Sequence, residues 1–246
     1  MTNFQASHRP SEQGFTLVEL AIVMVIIGIL IGGILKGQEL IATAKISSTV
    51  GQIEGLDASL NTFEEKYQAR PGDMANPGGR LPSCAGVCAT AGDSDSRIEN
   101  GNGANPGGAP ALNQEGSFAF AHLSAADLIS GVIVDATPAA TFGELLPIVK
   151  AGGGMWLGYA ITNAGSNINT LTGGRHYAIL NGQPVATGPN VGAFSPATAA
   201  QIDRKIDDGV ANTGGTQVVG AGCAVAGVYA ESVTNVTCGM FSRVLN

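Results

Sequence analysis

The sequence is short of charge and of aromatic rings. Charged residues make up 13% of its 246 positions and aromatics 5%, where an ordinary globular chain carries about a quarter charged. With 12 Lys+Arg against 19 Asp+Glu the net charge is −7, and no cluster of cations offers the attraction that nucleic acid or anionic lipid requires. A specific nucleic-acid partner is therefore not expected. No complete Walker loop, H-E-x-x-H or G-x-S-x-G occurs, so neither an enzyme nor a cofactor is expected. Gly152, Gly154 and Gly158 miss the dinucleotide spacing by one and read as a turn. Of the three histidines, His122 falls on an expected helix and His176 in an expected strand. Neither has a paired nucleophile, and both read as structural.

Cysteine is scarce but even in number: Cys84, Cys88, Cys223 and Cys238 stand as two near pairs. Two disulfides in an oxidising compartment fit this pattern, with three connectivities open. A zinc site asks for a second close pair and more histidine. Glycine, by contrast, is abundant at 36 residues, roughly twice normal usage, which predicts a loop-rich chain with a neutral surface. The 44% hydrophobic content is enough for a packed core.

Phe15 to Leu35 reads FTLVELAIVMVIIGILIGGIL, with Glu19 as its single ionisable side chain. Its 21 residues match the length of a helix that crosses a bilayer. A cleaved secretory signal has a shorter apolar core ending at an A-x-A-like site, whereas this run ends in Gly-Gly-Ile-Leu-Lys. An acid in such a segment is costly and marks a functional position. No Lys or Arg lies between Phe15 and Leu35 to pair with it. Cleavage after Gly14 would create a cation, the free α-amine of Phe15, with a pKa of about 8. Phe15 and Glu19 are one helical turn apart, so the pair can form within a chain or between staggered chains. A protonated glutamate reaching toward the headgroups is the alternative.

Gly14-Phe15-Thr16-Leu17-Val18-Glu19-Leu20 followed by an apolar run resembles the class III signal of type IV pilins and of the pseudopilins of type II secretion systems. The resemblance implies that a prepilin peptidase cuts between Gly14 and Phe15 and methylates the new amine. It further implies that Glu19 pairs with the Phe15 amine of a neighbouring subunit as copies assemble. Partners would be further copies of the chain in a helical filament, the prepilin peptidase and an inner-membrane assembly machinery. The chain would span the inner membrane once before assembly, and then lie in an extracellular fibre or a periplasmic pseudopilus.

Past Leu35 the apolar residues become one-sided: Ile46, Val50, Ile53, Leu56, Leu60, Phe63 and Tyr67 recur at spacings of 4, 3, 3, 4, 3 and 4. This is a helical stripe. No proline interrupts Phe15 to Tyr67, so one helix of 53 residues would run about 80 Å. Its first half must bury itself in lipid or against copies of itself, although an anchor joined to the core helix of a monomer is also open. Gly28, Gly32, Gly33 and Gly37 weaken it, and the stretch from Gly28 to Gly37 is expected to loosen on assembly. Many pilins carry a proline where Lys36 stands.

Arg70-Pro71-Gly72-Asp73 ends the helix, and a Gly/Asn/Pro-rich region runs to about Gly116, tied in part by a Cys84–Cys88 bridge. A helix is predicted over Ser117 to Ile129, burying Phe118, Leu123, Leu128 and Ile129 and capped by Gly131. Strands are predicted at Met155 to Ile161 and His176 to Leu180, paired antiparallel, and at Thr216 to Val219 and Val228 to Tyr229. Ser195-Pro196 opens a helix that Gly209 stops, predicted over Pro196 to Asp208. Asp207 and Asp208 at its C-terminus oppose the helix dipole, which hints at compensating contacts or a cation. Cys223 and Cys238 are the preferred second bridge, similar to the carboxy-terminal disulfide loop of many pilins. Asp93 and Asp95, with Asn100 and Asn102 nearby, are weak calcium candidates, some pseudopilins using calcium; Arg97 stands where an EF-hand places its third ligand.

The whole reads as α+β and pilin-like: a long N-terminal helix, hydrophobic and then amphipathic, packed on a small antiparallel sheet with Gly-rich loop insertions. The expected organisation is a leader over 1–14, a membrane and assembly half-helix over 15–35, an amphipathic half over 36–67 and a globular domain over 68–246. Three functions fit: a type IV pilus-like subunit, a type II secretion pseudopilin, or a membrane-anchored binding protein that does not polymerise.

Overall fold

The computed structural model describes residues 16–99, 114–133, 141–160, 171, 174–183 and 192–245. Gly14, Phe15, Asn100, Asn102 and Ile161 lie outside them. The chain divides into two units, residues 1–43 and residues 44–246.

Helix α1 (Leu17–Tyr67) belongs to both units and is unbroken from Gly28 to Gly37. In the first unit its apolar side chains all face outward, from Leu17 at 88% exposure through Ile29 at 71% to Ile41 at 59%. In the second unit Ile46, Thr49, Val50, Ile53, Leu56, Leu60 and Phe63 are buried, on the face that the 3–4 spacing defines. Side-chain hydrogen bonds pin this face. Gln52 donates to the Ile148 carbonyl and accepts from the Lys150 amide, Thr49 accepts from Ala151, and Asp57 accepts from Leu245 at 2.8 Å. At the helix end Gln68 takes a positive φ, and Arg80 donates to the otherwise open carbonyl of Tyr67.

The described part of the region after α1, residues 68–99, is fastened. It carries a one-turn helix, α2 (Pro77–Arg80), and a 3-10 turn over Gly86–Ala89. A Cys84–Cys88 disulfide spans 5.1 Å between Cα atoms. Helix α3 runs over Glu115–Ala125 and buries every residue from Gly116 to Leu123. It starts and stops earlier than the periodicity predicts, and Gly131 does not cap it. Asp127 instead takes the left-handed position with φ 57°, Asp127 donates to Ser124, and Leu128 donates to Leu123 at 3.0 Å. That double closure is a Schellman motif, and it leaves Leu128 and Ile129 only half-buried.

The sheet is antiparallel, in the order β1-β2-β6-β3. Strand β1 (Gly154–Ala160) pairs with β2 (Arg175–Asn181), setting Trp156 opposite Ile179. Helix α4 (Pro196–Ile206) follows, with Ser195 accepting from the Thr198 amide as its N-cap. Next come β3 (Thr216–Val219), the short hairpin of β4 (Ala224–Val225) and β5 (Val228–Tyr229), and β6 (Gly239–Val244). Strand β6 lies between β2 and β3, pairing Phe241 with Ile179 and Met240 with Val218, and the sequence reading does not anticipate it. Gly154 and Gly158, expected in a turn, lie within β1. Gly153 before them has φ +66°, and a Cβ there would run into the Asn181 carbonyl, so the entry to β1 requires glycine.

The core joins the buried face of α1 to α3, the sheet and α4, with Phe63, Phe120, Trp156, Phe194 and Phe241 among its largest members. This is a long N-terminal helix packed against a small antiparallel sheet, a pilin-like α+β arrangement. A second disulfide, Cys223–Cys238, has Cα atoms 5.2 Å apart and closes the hairpin loop onto the start of β6.

Candidate functional site

Thr16 and Glu19 open α1 together. The Glu19 carboxylate accepts from the Thr16 amide at 2.9 Å and the Thr16 hydroxyl at 2.8 Å, while the Glu19 amide donates to Thr16 Oγ1. This is a capping box, T-x-x-E, in which two open donors of the first turn are satisfied reciprocally. Reading Glu19 for its charge alone leaves it without a partner in the span; the geometry supplies a neutral one, three residues away. Thr16 is thus a residue that the sequence analysis misses, although its spacing to Glu19 carries the signal. Both sit at the head of an apolar surface with no charge until Lys36, which pairs with Glu39 at 2.7 Å. An 18-residue window of α1 is long and apolar enough to cross a membrane, and none of it is buried.

Comparison with known proteins bears on this same segment. Residues 9–35 match the model of the prokaryotic N-terminal methylation motif. It is the signal motif of type IV pilins and pseudopilins. The match to the signal motif brackets Gly14, Phe15 and Glu19 and stops where the apolar run gives way to Lys36. Searches of curated proteins and of solved structures yield no match.

The second unit carries two groups of acids. Asp73, Asp93, Asp95 and Glu115 bring one carboxylate oxygen each within 4.8 Å of the others. Asp93 and Asp95 are the calcium candidates that the sequence offers; Asp73 and Glu115 come from the ends of the loop region, too far along the chain for spacing to reveal them. Backbone amides occupy this group. Asp73 accepts from Asp95 and Ser96, and Glu115 accepts from Asp93 and Glu99 at 3.1 and 3.0 Å. Arg97 faces Asp95 at 3.4 Å. Burial pushes Asp73 up to about 6 and Glu115 up to about 7, against the pull of those amides. The group organises the loop through its own hydrogen bonds.

Asp203, Asp207 and Asp208 form the other group, again within 4.8 Å. The contacts hinted at by two acids at a helix C-terminus are present. Asp207 accepts from the Gly215 and Thr216 amides, and Asp208 from the Val210 amide and the Thr213 hydroxyl. Tyr229 donates to Asp203 at 2.8 Å. Gly214 has φ +75°, and a Cβ there would strike the Asp207 carboxylate, so the turn that wraps Asp207 depends on glycine.

Both described histidines are buried inside the fold. His122 Nδ1 accepts from the Gly72 amide at 2.8 Å and Nε2 faces the Cys88 carbonyl at 2.9 Å, which fixes a neutral ring with its proton on Nε2. Burial holds it down at about 4. His176 accepts from the Ile98 amide, and burial followed by the Arg70 charge lowers it to about 3. Each joins the segment after α1 to the layer beneath it.

Proposed function

We propose that the chain is the structural subunit of a type IV pilus-like filament, cleaved by a prepilin peptidase after Gly14, methylated on Phe15 and polymerised through the first half of α1. The observation that carries this reading is the contrast along α1: from Leu17 to Ile41 its large apolar side chains are exposed, and the signal motif covers the start of that stretch. Fully burying one such side chain is worth roughly 1.5–3 kcal/mol, so the segment demands lipid first and neighbouring copies afterwards. Glu19 sets the register. Among the described residues its carboxylate has only the Thr16 donors, and in an apolar fibre core a charged amine is the stronger partner. An incoming subunit settles where its glutamate meets the Phe15 amine of a neighbour.

Mass spectrometry of the mature N-terminus tests processing, with N-methylated Phe15 expected and an encoded Met1 on assembled polymer ruling the reading out. For the register role, Glu19→Ala is expected to keep membrane insertion and cleavage and to lower fibre yield at least about tenfold, the effect of losing a buried charge pair; unchanged yield would refute it. Shearing of cells separates a long surface fibre, released into the medium, from a pseudopilus that stays with the envelope.

A further inference from the structure

The two disulfides differ in what they hold and in what can reach them. Cys223 and Cys238 are both buried. The backbone of Cys238 exchanges hydrogen bonds of 3.0 Å with Phe194 in both directions, at the head of β6, so access to this bridge requires the sheet to open. Cys88 is buried as well, but its partner Cys84 is part-exposed, between exposed Ser83 and Ala85. The chain has no free thiol. Exchange at either bridge therefore has to come from outside, and it starts where a thiolate can approach a sulfur.

The segment that carries Cys84 is arranged to open as a unit. Its neck is closed by backbone: the Gly92 amide donates to the Met74 carbonyl at 3.0 Å, and a Cβ at Gly92 would strike Asp73. The ends of residues 75–91 thus meet without help from the bridge, which makes the segment a compact surface excursion. Its ties to the layer below are few. The Cys88 carbonyl faces His122 Nε2 of α3 at 2.9 Å, Arg80 donates to Tyr67, and Pro77, Leu81 and Cys88 are buried. Ser83, just before Cys84, has φ 51°, a left-handed conformation that residues other than glycine seldom hold. Sparse buried contacts are the mark of a region that opens locally while the rest of the fold stands.

We propose that Cys84–Cys88 is a redox latch: a dithiol of the C-x-x-C class reduces it from the Cys84 side and frees residues 75–91 from α3, while Cys223–Cys238 and the rest of the fold stay closed. A thiolate of the reductant attacks Cys84 Sγ, the Cys84–Cys88 bond breaks, and Cys88 leaves as a thiolate that takes up a proton. The second thiol of the reductant then displaces Cys84, which leaves as a thiolate and is protonated in turn. Two electrons pass to the bridge, and the reductant ends as its own disulfide. Loss of the bridge removes the covalent closure around the Gly86–Ala89 turn, and with it the restraint that holds the Cys88 carbonyl against His122.

The test treats the full chain in detergent with dithiothreitol and quenches it at intervals with iodoacetamide. Peptide mass spectrometry locates the labelled cysteines, and hydrogen exchange follows backbone opening. Cys84 and Cys88 are expected to be labelled at least about tenfold faster than Cys223 and Cys238. Deuterium uptake should rise over residues 75–91 and not over α4, with the near-ultraviolet circular dichroism of Trp156 unchanged. Cys84→Ser should show the same rise without reductant; should that variant fail to fold, the wild-type time course decides alone. The proposal is overturned if Cys223 and Cys238 are labelled as fast as Cys84 and Cys88 or faster. It is equally overturned if uptake over 75–91 stays unchanged in the reduced chain or in folded Cys84→Ser, or if the Trp156 signal is lost with the first bridge.

Discussion

One helix, α1, meets two environments. Residues 17–43 and 44–67 share the same backbone hydrogen-bond pattern, yet the first stretch buries none of its large apolar side chains and the second buries seven residues. The difference lies in how apolar residues are arranged around the axis. From Leu17 to Leu35 they surround the helix, with Glu19 the one ionisable group; from Ile46 onward they form a single stripe, with exposed Glu54, Asn61 and Glu65 on the other side of the helix. A stripe can be covered by the chain's own sheet. A helix that is apolar all round has no inside and requires an external apolar phase. Where apolar area is covered thus separates stability of the fold from its use in assembly, and substitutions in the two halves ought to have opposite signatures.

The largest expected effect lies in the second half. Phe63 is fully buried, tilted against Tyr67 with ring centroids 4.7 Å apart and stacked with His122 at 6.4 Å. Phe63→Ala is predicted to cost about 3–5 kcal/mol, the range for truncating a core aromatic, in chemical denaturation of detergent-solubilised protein. Membrane insertion should be unaffected. A loss under 1 kcal/mol would show that the buried stripe does not anchor the fold, and would erase the distinction between the halves.

A smaller effect comes from Glu115 at the start of α3. Its folded pKa is raised to about 7 by burial, while an unfolded glutamate titrates near about 4.3. The native state therefore holds a proton that the unfolded state has released, and stability falls as pH rises through 7. Between pH 6 and 8 this amounts to about 1 kcal/mol. His122 and His176 act in the opposite sense and lower down. Their depressed pKa values withdraw stability only as pH falls below about 6.5, where an unfolded histidine charges. Glu115→Gln should flatten the decline from pH 6 to 8 and steepen the acid limb between about 6 and 4.3, where the native wild type holds a proton that the unfolded chain has released; a variant whose alkaline limb still tracks the wild type would assign the decline to other groups.

How much of this is legible in the chain differs by element. α1 can be read almost to its boundaries, because 3–4 spacing and the absence of proline are local signals, and the short strands β3 and β5 are bounded by glycine. Strand β6 hides. Met240 and Phe241 are buried on opposite faces next to buried Ser242, so the two-residue alternation that marks a half-exposed strand is missing, and it pairs with β2 across a long stretch of chain, from Leu180–Met240 to His176–Val244. The end of α3 misleads because Asp127, not the nearby glycine, takes the left-handed turn. The acid groups divide the same way. Asp207 and Asp208 announce themselves at a helix end, whereas Asp73 meets Glu115 only through the fold.

The smallest effect sharpens the contrast most. Ile26 is 51% exposed in the first half of α1, so Ile26→Ala removes no packed contact within the chain, and alanine is the better helix former. The change in unfolding free energy of the detergent-solubilised protein should stay within about 0.5 kcal/mol, the range for surface substitutions. The same variant should lower fibre yield, since the lost methylene and methyl groups face whatever apolar phase covers this surface in the polymer. Measuring both in one preparation decides between two roles for the half-helix. Unchanged stability with reduced assembly places its buried area between copies; unchanged stability with unchanged assembly would leave the segment as a membrane anchor alone, with the structural work of the chain confined to residues 44–246.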